Sequence, residues 1–305
     1  MGQLDEITAG TLNTGKSTIV EDLQDAIYNV SPFETPLLSR LQQVGVDNRY
    51  PQWLVDSYAS AATNAHAEGI AHTAQDQTVP TRAVNHVQLF YKGAAISDQE
   101  RDAAHVGYAD PFVYYEGKNI VEIKRDMELA IVAGSAVSGD TDTASQMAGF
   151  INFISTNKTT TTSITLTESV FNDLLELTWG NTAQFPSEVY VGAKLKRTIS
   201  LYATKNTPFL SADEKKQILT TNQYDSEFGV LTVFLHRDIR SNMSMSDILV
   251  IDPNWFATGW LTPLRREVLA RDGLRDRYQM SAACTVLFRN EKAALCGRAY
   301  SPYIA

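Results

Sequence analysis

Residues 59–81 decide how this chain is interpreted, and they read ASAATNAHAEGIAHTAQDQTVPT. Only Ile70 and Val79 in this stretch carry large apolar side chains. The flanking segments, residues 49–58 (RYPQWLVDSY) and 83–96 (AVNHVQLFYKGAAI), have the aromatic, β-branched and alternating composition that is typical of strands. Two strands joined by a long polar tip predict an extended hairpin.

The tip of this hairpin has little means of ordering itself. Fixing each backbone residue costs about 1–2 kcal/mol, and Ala, Thr, Ser, Gly and Asn side chains bury too little apolar surface against one another to offset that cost. The tip is therefore either disordered in a single copy, or neighbouring copies pack on it and pair with its backbone. The polar segment 1–30 poses the same problem. Two such projections indicate a self-assembling structural protein in which each projection lies on another copy.

A long helix is predicted after the hairpin. Asp110 is a good N-cap residue, Pro111 suits the first helical position, and Gly134 ends the pattern. Such a helix of about 24 residues would span about 36 Å, about twice the mean helix length, and indicates a scaffold spine. Its apolar side chains recur at helical spacing; they are Phe112, Tyr115, Ile120, Ile123, Met127 and Ile131.

Shorter elements are expected on both sides of this spine. Ser31 and Pro32 suit the start of a short helix that Gly45 would end. After a turn-rich linker at residues 139–149, the pattern predicts a mixed α/β region and then a C-terminal part rich in strands. The predicted helices begin at Thr167 and cover 193–203, and the predicted strands cover 188–191, 229–236, 247–252, 255–261 and 280–288.

Composition limits the classes of function. The chain has 305 residues, of which 44 % are apolar and 20 % charged, a globular composition. Its net charge of −9 argues against a nucleic-acid-binding surface as the main function. A shell that encloses DNA without binding it tightly would tolerate that charge. No apolar run approaches the ~20 residues of a membrane span. Cys284 and Cys296 form no C-x-x-C pair, and low cysteine content fits a reducing cytoplasm.

One motif suggests a different class of protein. Residues 10–17, GTLNTGKS, match the G-x-x-x-x-G-K-[ST] pattern of phosphate-binding loops. Such a loop follows a buried strand and opens a helix, whereas only nine mostly polar residues precede Gly10. We therefore favour an extended arm over a nucleotide hydrolase, and micromolar binding of ATP or GTP would overturn that interpretation.

No other motif predicts a catalytic, cofactor-binding or metal site. Asp140 and Asp142 lack the Gly and Glu that an EF-hand loop would place after them, so we interpret them as a solvated turn. Arginines interrupted by acidic residues indicate either a self-paired surface or a subunit contact for acidic neighbours; the contact candidates are Arg265, Arg266 and Arg271. The histidines show no zinc-binding spacing; they are His66, His72, His86, His105 and His236. His236 ends a predicted strand, and we interpret it as a surface residue or a satisfied core residue.

Three runs of sequence resemble one known family. Residues 31–39, SPFETPLLS, are similar to the start of a family of major capsid proteins of tailed double-stranded DNA bacteriophages. Residues 122–134 (EIKRDMELAIVAG) resemble that family's spine helix, and residues 145–149 (SQMAG) resemble the segment that follows that helix. Residues 290–294 (NEKAA) resemble a run near the C-terminus of the family. The runs keep the family's order and approximate spacing, so the resemblance covers nearly the whole chain.

The resemblance implies the Hong Kong 97 fold, an α+β capsid architecture. The implied parts are an N-terminal arm with a short helix over residues 1–45, an extended hairpin loop over 46–97, a peripheral domain with the spine helix over 98–150 and 245–305, and an axial domain over 151–244. The first candidates for contact between subunits lie at the hairpin tip and are Glu68, Gly69 and Ile70.

The resemblance also implies a structural function without catalysis. Copies would assemble as pentamers and hexamers into an icosahedral shell around DNA, with portal, scaffolding or decoration proteins as partners and no membrane. Scaffolding, where used, would be a separate protein or a segment that has been removed. The protein would be made in the cytoplasm of the host bacterium and end in the virion. Because encapsulin nanocompartments are built on a related fold, a cargo-holding shell stays an alternative.

Overall fold

The computed structural model describes residues 35–69, 71, 77–181, 185–206, 223–237 and 246–302. Within these ranges the helices are α1 (Pro36–Arg40), α2 (Asp98–Asp102), α3 (Pro111–Ala133), α4 (Phe150–Phe153), α5 (Glu168–Asn181) and α6 (Ala193–Asn206). The strands are β1 (Gln42–Gly45), β2 (Gln52–Val55), β3 (Thr81–Val84), β4 (Gln88–Ser97), β5 (Lys158–Thr165), β6 (Glu188–Val191), β7 (Gln223–Ser226), β8 (Gly229–Leu235), β9 (Ile248–Ile251), β10 (Phe256–Leu269), β11 (Arg275–Phe288) and β12 (Ala294–Ser301). Short 3₁₀ turns cover Pro253–Trp255 and Glu291–Ala293.

Helix α3 is the long helix that the sequence predicts. Its 23 residues span about 35 Å at the rise of an α-helix. The Asp110 carboxylate accepts a hydrogen bond from the Phe112 N–H at 2.8 Å and so caps the first turn. At the other end, a Cβ added to Gly134 would lie 2.5 Å from the carbonyl oxygens of Ala130 and Met147. A larger residue could not end the helix in this way, so both predicted helix ends are confirmed.

A four-stranded sheet packs against this helix. Its strand order is β1-β10-β11-β4, in which β1 lies parallel to β10 and the other neighbours are antiparallel. Strands β10 and β11 form a long hairpin that pairs from Phe256↔Phe288 to Leu269↔Arg277. The sequence predicted only parts of these two strands, because their outer halves are polar and partly exposed.

A mixed six-stranded sheet forms the second layer, with the strand order β5-β12-β9-β6-β8-β7. Its central strands β6 and β9 read EVYV and ILVI, and every residue in them is buried. Such continuous burial is expected of strands that are covered on both faces. Leu249 and Ile251 of β9 belong to the same hydrophobic core as the spine residue Ile131, whereas Ile248 and Val250 belong to the core formed with α5 and α6.

The short helix expected over residues 31–45 needs correction. Residues 31–34 lie outside the described ranges, α1 ends at Arg40, and β1 occupies residues 42–45. Strand β1 pairs in parallel with β10, with Val44 opposite Gly259. Pairing with a strand far along the chain overrides the local helical spacing, and Gly45 therefore does not end a helix.

The second strand of the predicted hairpin is in fact two strands. Strand β3 pairs with β2 in the hairpin, whereas β4 pairs with β11 in the four-stranded sheet. The chain changes partner at Asn85, whose side chain is 1 % exposed. The hairpin itself is confirmed, and the alternating pattern of residues 83–96 spans two different sheets.

The six-stranded sheet contains strands from both sides of the expected division at residue 245. Strands β9 and β12, which that division assigns to the peripheral domain, pair with β6 and β5 of the expected axial domain. Pairing between distant segments leaves no local mark in the sequence. The division into arm, hairpin loop, peripheral domain and axial domain stays a prediction.

Candidate assembly surface

The hairpin begins as a two-stranded ribbon and continues as an irregular tip. Strands β2 and β3 pair from Gln52↔Val84 to Val55↔Thr81. Beyond them, residues 56–69, 71 and 77–80 form neither helix nor strand, and all are exposed. The tip therefore offers a partner mainly its backbone and small side chains, together with two large exposed side chains, Tyr58 and Val79.

The predicted contact residues lie at a turn of this tip. Glu68 and Gly69 are both exposed, and Gly69 has a φ of +81°, a backbone conformation that favours glycine. Ile70 lies outside the described ranges. The turn is accessible, and its contact with another copy stays a prediction.

Two side chains fasten the base of the hairpin to the body of the protein. The Asn85 amide donates to the carbonyl oxygens of Val286 at 2.8 Å and Ala148 at 3.1 Å, and its oxygen accepts from the Ala148 N–H at 2.9 Å. The Trp53 indole N–H donates to the Phe288 carbonyl oxygen at 2.7 Å. The hairpin is therefore positioned at its base, while its tip extends away from these anchors.

We expect Asn85→Ala to lower the free energy of unfolding by about 1–3 kcal/mol, because it strips buried backbone groups of their partners. The matched control is Asn64→Ala, since Asn64 is exposed in the tip, where its side chain contacts His66. Urea denaturation of both variants measures the difference. Equal effects of the two substitutions would contradict the anchoring function of Asn85.

A buried carboxylate holds the first helix against the spine. Glu128, in α3, is fully buried. Its Oε1 accepts from Leu37 N–H at 2.8 Å and lies 2.7 Å from His236 Nε2, and its Oε2 accepts from Leu38 N–H at 2.8 Å. One side chain therefore joins α1, the spine helix α3 and the segment that follows β8.

A second polar network lies beside this one. Arg40, in α1, forms an ion pair with Glu188 of β6 and lies 4.4 Å above the Phe234 ring. The Tyr190 hydroxyl donates to Glu188 Oε2 at 2.7 Å. Hydrogen bonding to Glu188 raises the pKa of Arg40, and burial followed by the bond to Glu188 raises the pKa of Tyr190. The raised pKa values keep Arg40 charged and Tyr190 neutral near pH 7, and the network fastens α1 to the six-stranded sheet.

The arginine candidates form ion pairs within their own chain. Arg265 and Arg266 lie in β10, and Arg271 follows it at the turn of the β10–β11 hairpin. Their side chains remain partly exposed, so the pairs are surface pairs of small energetic value. The pairs are Arg265 with Glu267 at 3.3 Å, Arg266 with Glu116 at 3.2 Å, and Arg271 with Asp98 and, at 3.0 Å, with Asp276.

Comparison with known proteins places this architecture in a family. The sequence model described as the SU10 major capsid protein matches residues 7–299. The chain belongs to this major capsid protein family. The major capsid protein of Escherichia phage Phieco32 is 30 % identical over 109 residues, which cover 35 % of this chain and 31 % of that relative. The matched region therefore spans about a third of the relative's length.

Solved structures confirm the fold of this capsid protein. The capsid asymmetric unit of cyanophage A-1(L) superposes with a TM-score of 0.67 at 11 % identity, covering 92 % of this chain and 97 % of that one. The SrpI encapsulin of Synechococcus elongatus superposes with a TM-score of 0.56 at 10 % identity, covering 92 % and 95 %. The α+β architecture of Hong Kong 97 type is thus as predicted from the sequence.

The nucleotide, metal and membrane features considered from the sequence can be compared with the described residues. Residues 10–17, with the phosphate-loop pattern, and His72 lie outside the described ranges. Within the described ranges there is no group of three or more His, Cys, Asp or Glu side chains placed to hold a metal ion, and no helix is long and apolar enough to cross a membrane.

The Asp140 carboxylate accepts hydrogen bonds from the N–H groups of Asp142 and Thr143, and these bonds lower the pKa of Asp140. This geometry is that of a turn.

The NEKAA run, residues 290–294, connects two segments of the capsid protein through the side chain of Glu291. Glu291 Oε1 accepts from the N–H groups of Ser155 at 2.5 Å and Thr156 at 2.6 Å. Burial alone would raise the pKa of Glu291, but these backbone hydrogen bonds lower it below its ordinary value. The ionised carboxylate therefore connects the chain after α4 to the turn before β12.

Because the folded-state pKa of Glu291 is lowered, its contribution to stability is complete above the unfolded-state pKa and is lost as the pH falls through the folded-state pKa. We expect Glu291→Gln to be less stable than the parent chain near pH 7, and the difference to shrink as the pH falls from about 5 to about 3. Glu68→Gln, at the exposed tip, controls for the loss of one negative charge. Urea midpoints across this range that stay a constant distance apart would contradict the prediction.

Sequence reasoning missed Glu128 as an organising residue and offered two options for His236, at the surface or satisfied in the core. His236 is 4 % exposed and bonded to Glu128, so the second option is confirmed. A signal for Glu128 was present. It precedes Val132 by one helical turn on the buried side of the spine, where a charged residue requires a partner.

Proposed function

We propose that this chain builds the icosahedral shell of a tailed bacteriophage, as pentamers and hexamers around double-stranded DNA. The observation that carries the proposal is the combination of a capsid fold with an exposed tip that has few large apolar side chains. Family membership supports the same function. In the assembled shell, each hairpin lies on a neighbouring copy.

The finer parts of this proposal concern partners and location. We place the capsid protein in the virion, after synthesis in the cytoplasm of the host bacterium. A portal protein and scaffolding or decoration proteins are its expected partners. The net charge of −9 supports a wall that encloses DNA without sequence-specific binding. The surface that carries Arg265, Arg266 and Arg271 is a candidate contact with acidic groups of a neighbouring copy.

Electron microscopy of the purified chain tests the proposal. We expect negative-stain images to show shells, tubes or capsomers. Nuclease-resistant DNA inside particles from infected cells separates a phage capsid from an encapsulin-like compartment, which would hold an enzyme instead. A stable monomer that binds ATP or GTP at micromolar concentration in calorimetry would contradict the shell function and favour the nucleotide hydrolase.

A further inference from the structure

Three cationic residues gather at one edge of the six-stranded sheet. Strands β6 and β8 are parallel neighbours, so their carboxyl ends, Val191 and Leu235, lie side by side at that edge. The chain leaves β6 into helix α6, whose first turns carry Lys194 and Arg197, and it leaves β8 through Arg237. All three cationic residues are exposed. We call Lys194, Arg197 and Arg237 the basic edge.

The basic edge has no acidic partner in the described part of the chain. None of its three side chains forms an ion pair with a described carboxylate, whereas the surface arginines of β10 and its turn are all paired within their own chain. Lys196, on the same turn of α6, donates to the Val233 carbonyl oxygen at 3.1 Å and so turns back onto β8. The charges of the basic edge are therefore available to another molecule.

These charges are placed against the usual pattern of a helix. The first turn of a helix carries a partial positive charge, which favours acidic side chains there and disfavours cations. Helix α6 has no acidic residue in its first turn, and residues 193–197 read AKLKR. Binding of an anion relieves this repulsion, because the cationic side chains and the helix N–H groups then attract the same group. The charge pattern of α6 therefore indicates an anionic partner.

The phosphates of a double helix suit the basic edge better than the carboxylates of a protein. Duplex DNA presents one negative charge per about 1.7 Å of its axis, so several neighbouring cations can each meet a phosphate. Carboxylates on a folded surface are sparser and are often paired already. Lys and Arg side chains are also the groups that most often contact phosphate oxygens in DNA complexes. Such contacts carry no sequence information, as expected of a shell that encloses DNA of any sequence.

We propose that the basic edge contacts the phosphate backbone of the double-stranded DNA inside the shell. This proposal rests on the shell function proposed above, and it names the surface that meets the DNA. Because the whole chain has a net charge of −9, most of its surface repels DNA. A small basic edge on each copy then holds the DNA at few points, without tight binding.

DNA binding by two charge-matched variants tests this proposal. The basic-edge variant combines Lys194→Gln, Arg197→Gln and Arg237→Gln. The control variant also loses three positive charges, from exposed residues on three separate elements that form no ion pair with a described carboxylate; it combines Arg82→Gln, Lys124→Gln and Lys292→Gln. Fluorescence anisotropy measures how the unassembled full-length chains bind a labelled duplex of random sequence, about 20 base pairs long, between about 20 and 200 mM salt.

We expect the basic-edge variant to bind the duplex at least about tenfold more weakly than the parent chain at the lowest salt. Its slope of log affinity against log salt should be smaller by about 2–3, since each phosphate contact contributes about 0.9. The control variant should lose less than about threefold in affinity and keep the parent's slope. Equal losses in the two variants, or no binding by the parent chain at the lowest salt, would refute the proposal.

Two further variants keep this test decisive. Arg197→Lys combined with Arg237→Lys retains the positive charges and should retain the parent's salt slope, so a reduced slope there would count against phosphate contacts. Circular dichroism checks folding. If the triple variant does not fold, Lys194→Gln alone replaces it, with an expected decrease in slope of about one.

Negative-stain microscopy of the same variants separates this proposal from the shell function. Shells formed by the basic-edge variant, together with weaker DNA binding, support both. A variant that binds DNA like the parent chain but no longer forms shells would show that the basic edge contacts acidic groups of a neighbouring copy, and the proposal would fail. If the unsubstituted chain forms no shells, the shell function itself fails, and with it the proposal that rests on it.

Discussion

Removal of residues 61–78 from the hairpin tip should leave a soluble, folded chain that no longer forms shells. The described residues of this segment are all exposed, and the anchors Asn85 and Trp53 at the base of the hairpin are untouched. The deletion therefore costs the single copy little stability, while it removes the segment that we expect to bind a neighbouring copy. A short Gly-Ser linker between Ser60 and Val79 would close the ribbon.

Three measurements separate folding from assembly in this variant. Circular dichroism and urea denaturation should match the parent chain, whereas negative-stain microscopy should show no shells or tubes. Val230→Ala is a suitable control, because it alters an exposed residue of β8, outside the hairpin. Shells formed by the deletion variant at the parent's concentration would show that the hairpin tip does not drive assembly.

Glu128→Ala should lower the free energy of unfolding by about 3–5 kcal/mol, the cost of removing one partner of a buried, hydrogen-bonded pair. The substitution leaves the Leu37 and Leu38 N–H groups and the His236 ring without the carboxylate that they contact. Because those groups belong to the arm helix and to the segment after β8, the loss should also loosen α1 from the spine.

Glu122→Ala on the same helix provides the matched control. Glu122 is partly exposed and lies 3.5 Å from Lys92 and 4.0 Å from Lys118, so its removal should cost about 0–1 kcal/mol. Urea denaturation compares the two variants, and hydrogen exchange at the amides of Leu37 and Leu38 reports the loosening of α1. A loss at Glu128→Ala no larger than at Glu122→Ala would contradict the proposed function of the buried carboxylate.

The parts of this fold that follow local rules were predictable from the sequence. Asp110 and Gly134 bound the spine helix because capping depends on the residues at the helix ends. The strand over residues 188–191 was recognisable from its composition. The hairpin was predictable because a long apolar-poor stretch between two strand patterns has few other solutions.

The remaining features depend on contacts between segments far apart in the chain. Strand β1 forms because β10 is available as its partner, and β12 and β9 pair with β5 and β6 although no local pattern encodes that pairing. The contact between Glu128 and His236 joins residues 108 positions apart.

Hydrogen exchange of the tip in assembled and dissociated protein tests the central claim most directly. If a neighbouring copy orders the hairpin tip, the amides of residues 59–69 should exchange at least about a hundredfold more slowly in shells than in dissociated subunits. The amides of α3 should exchange at similar rates in both states and serve as the internal reference. Tip amides that exchange equally fast in shells and in subunits would contradict the account.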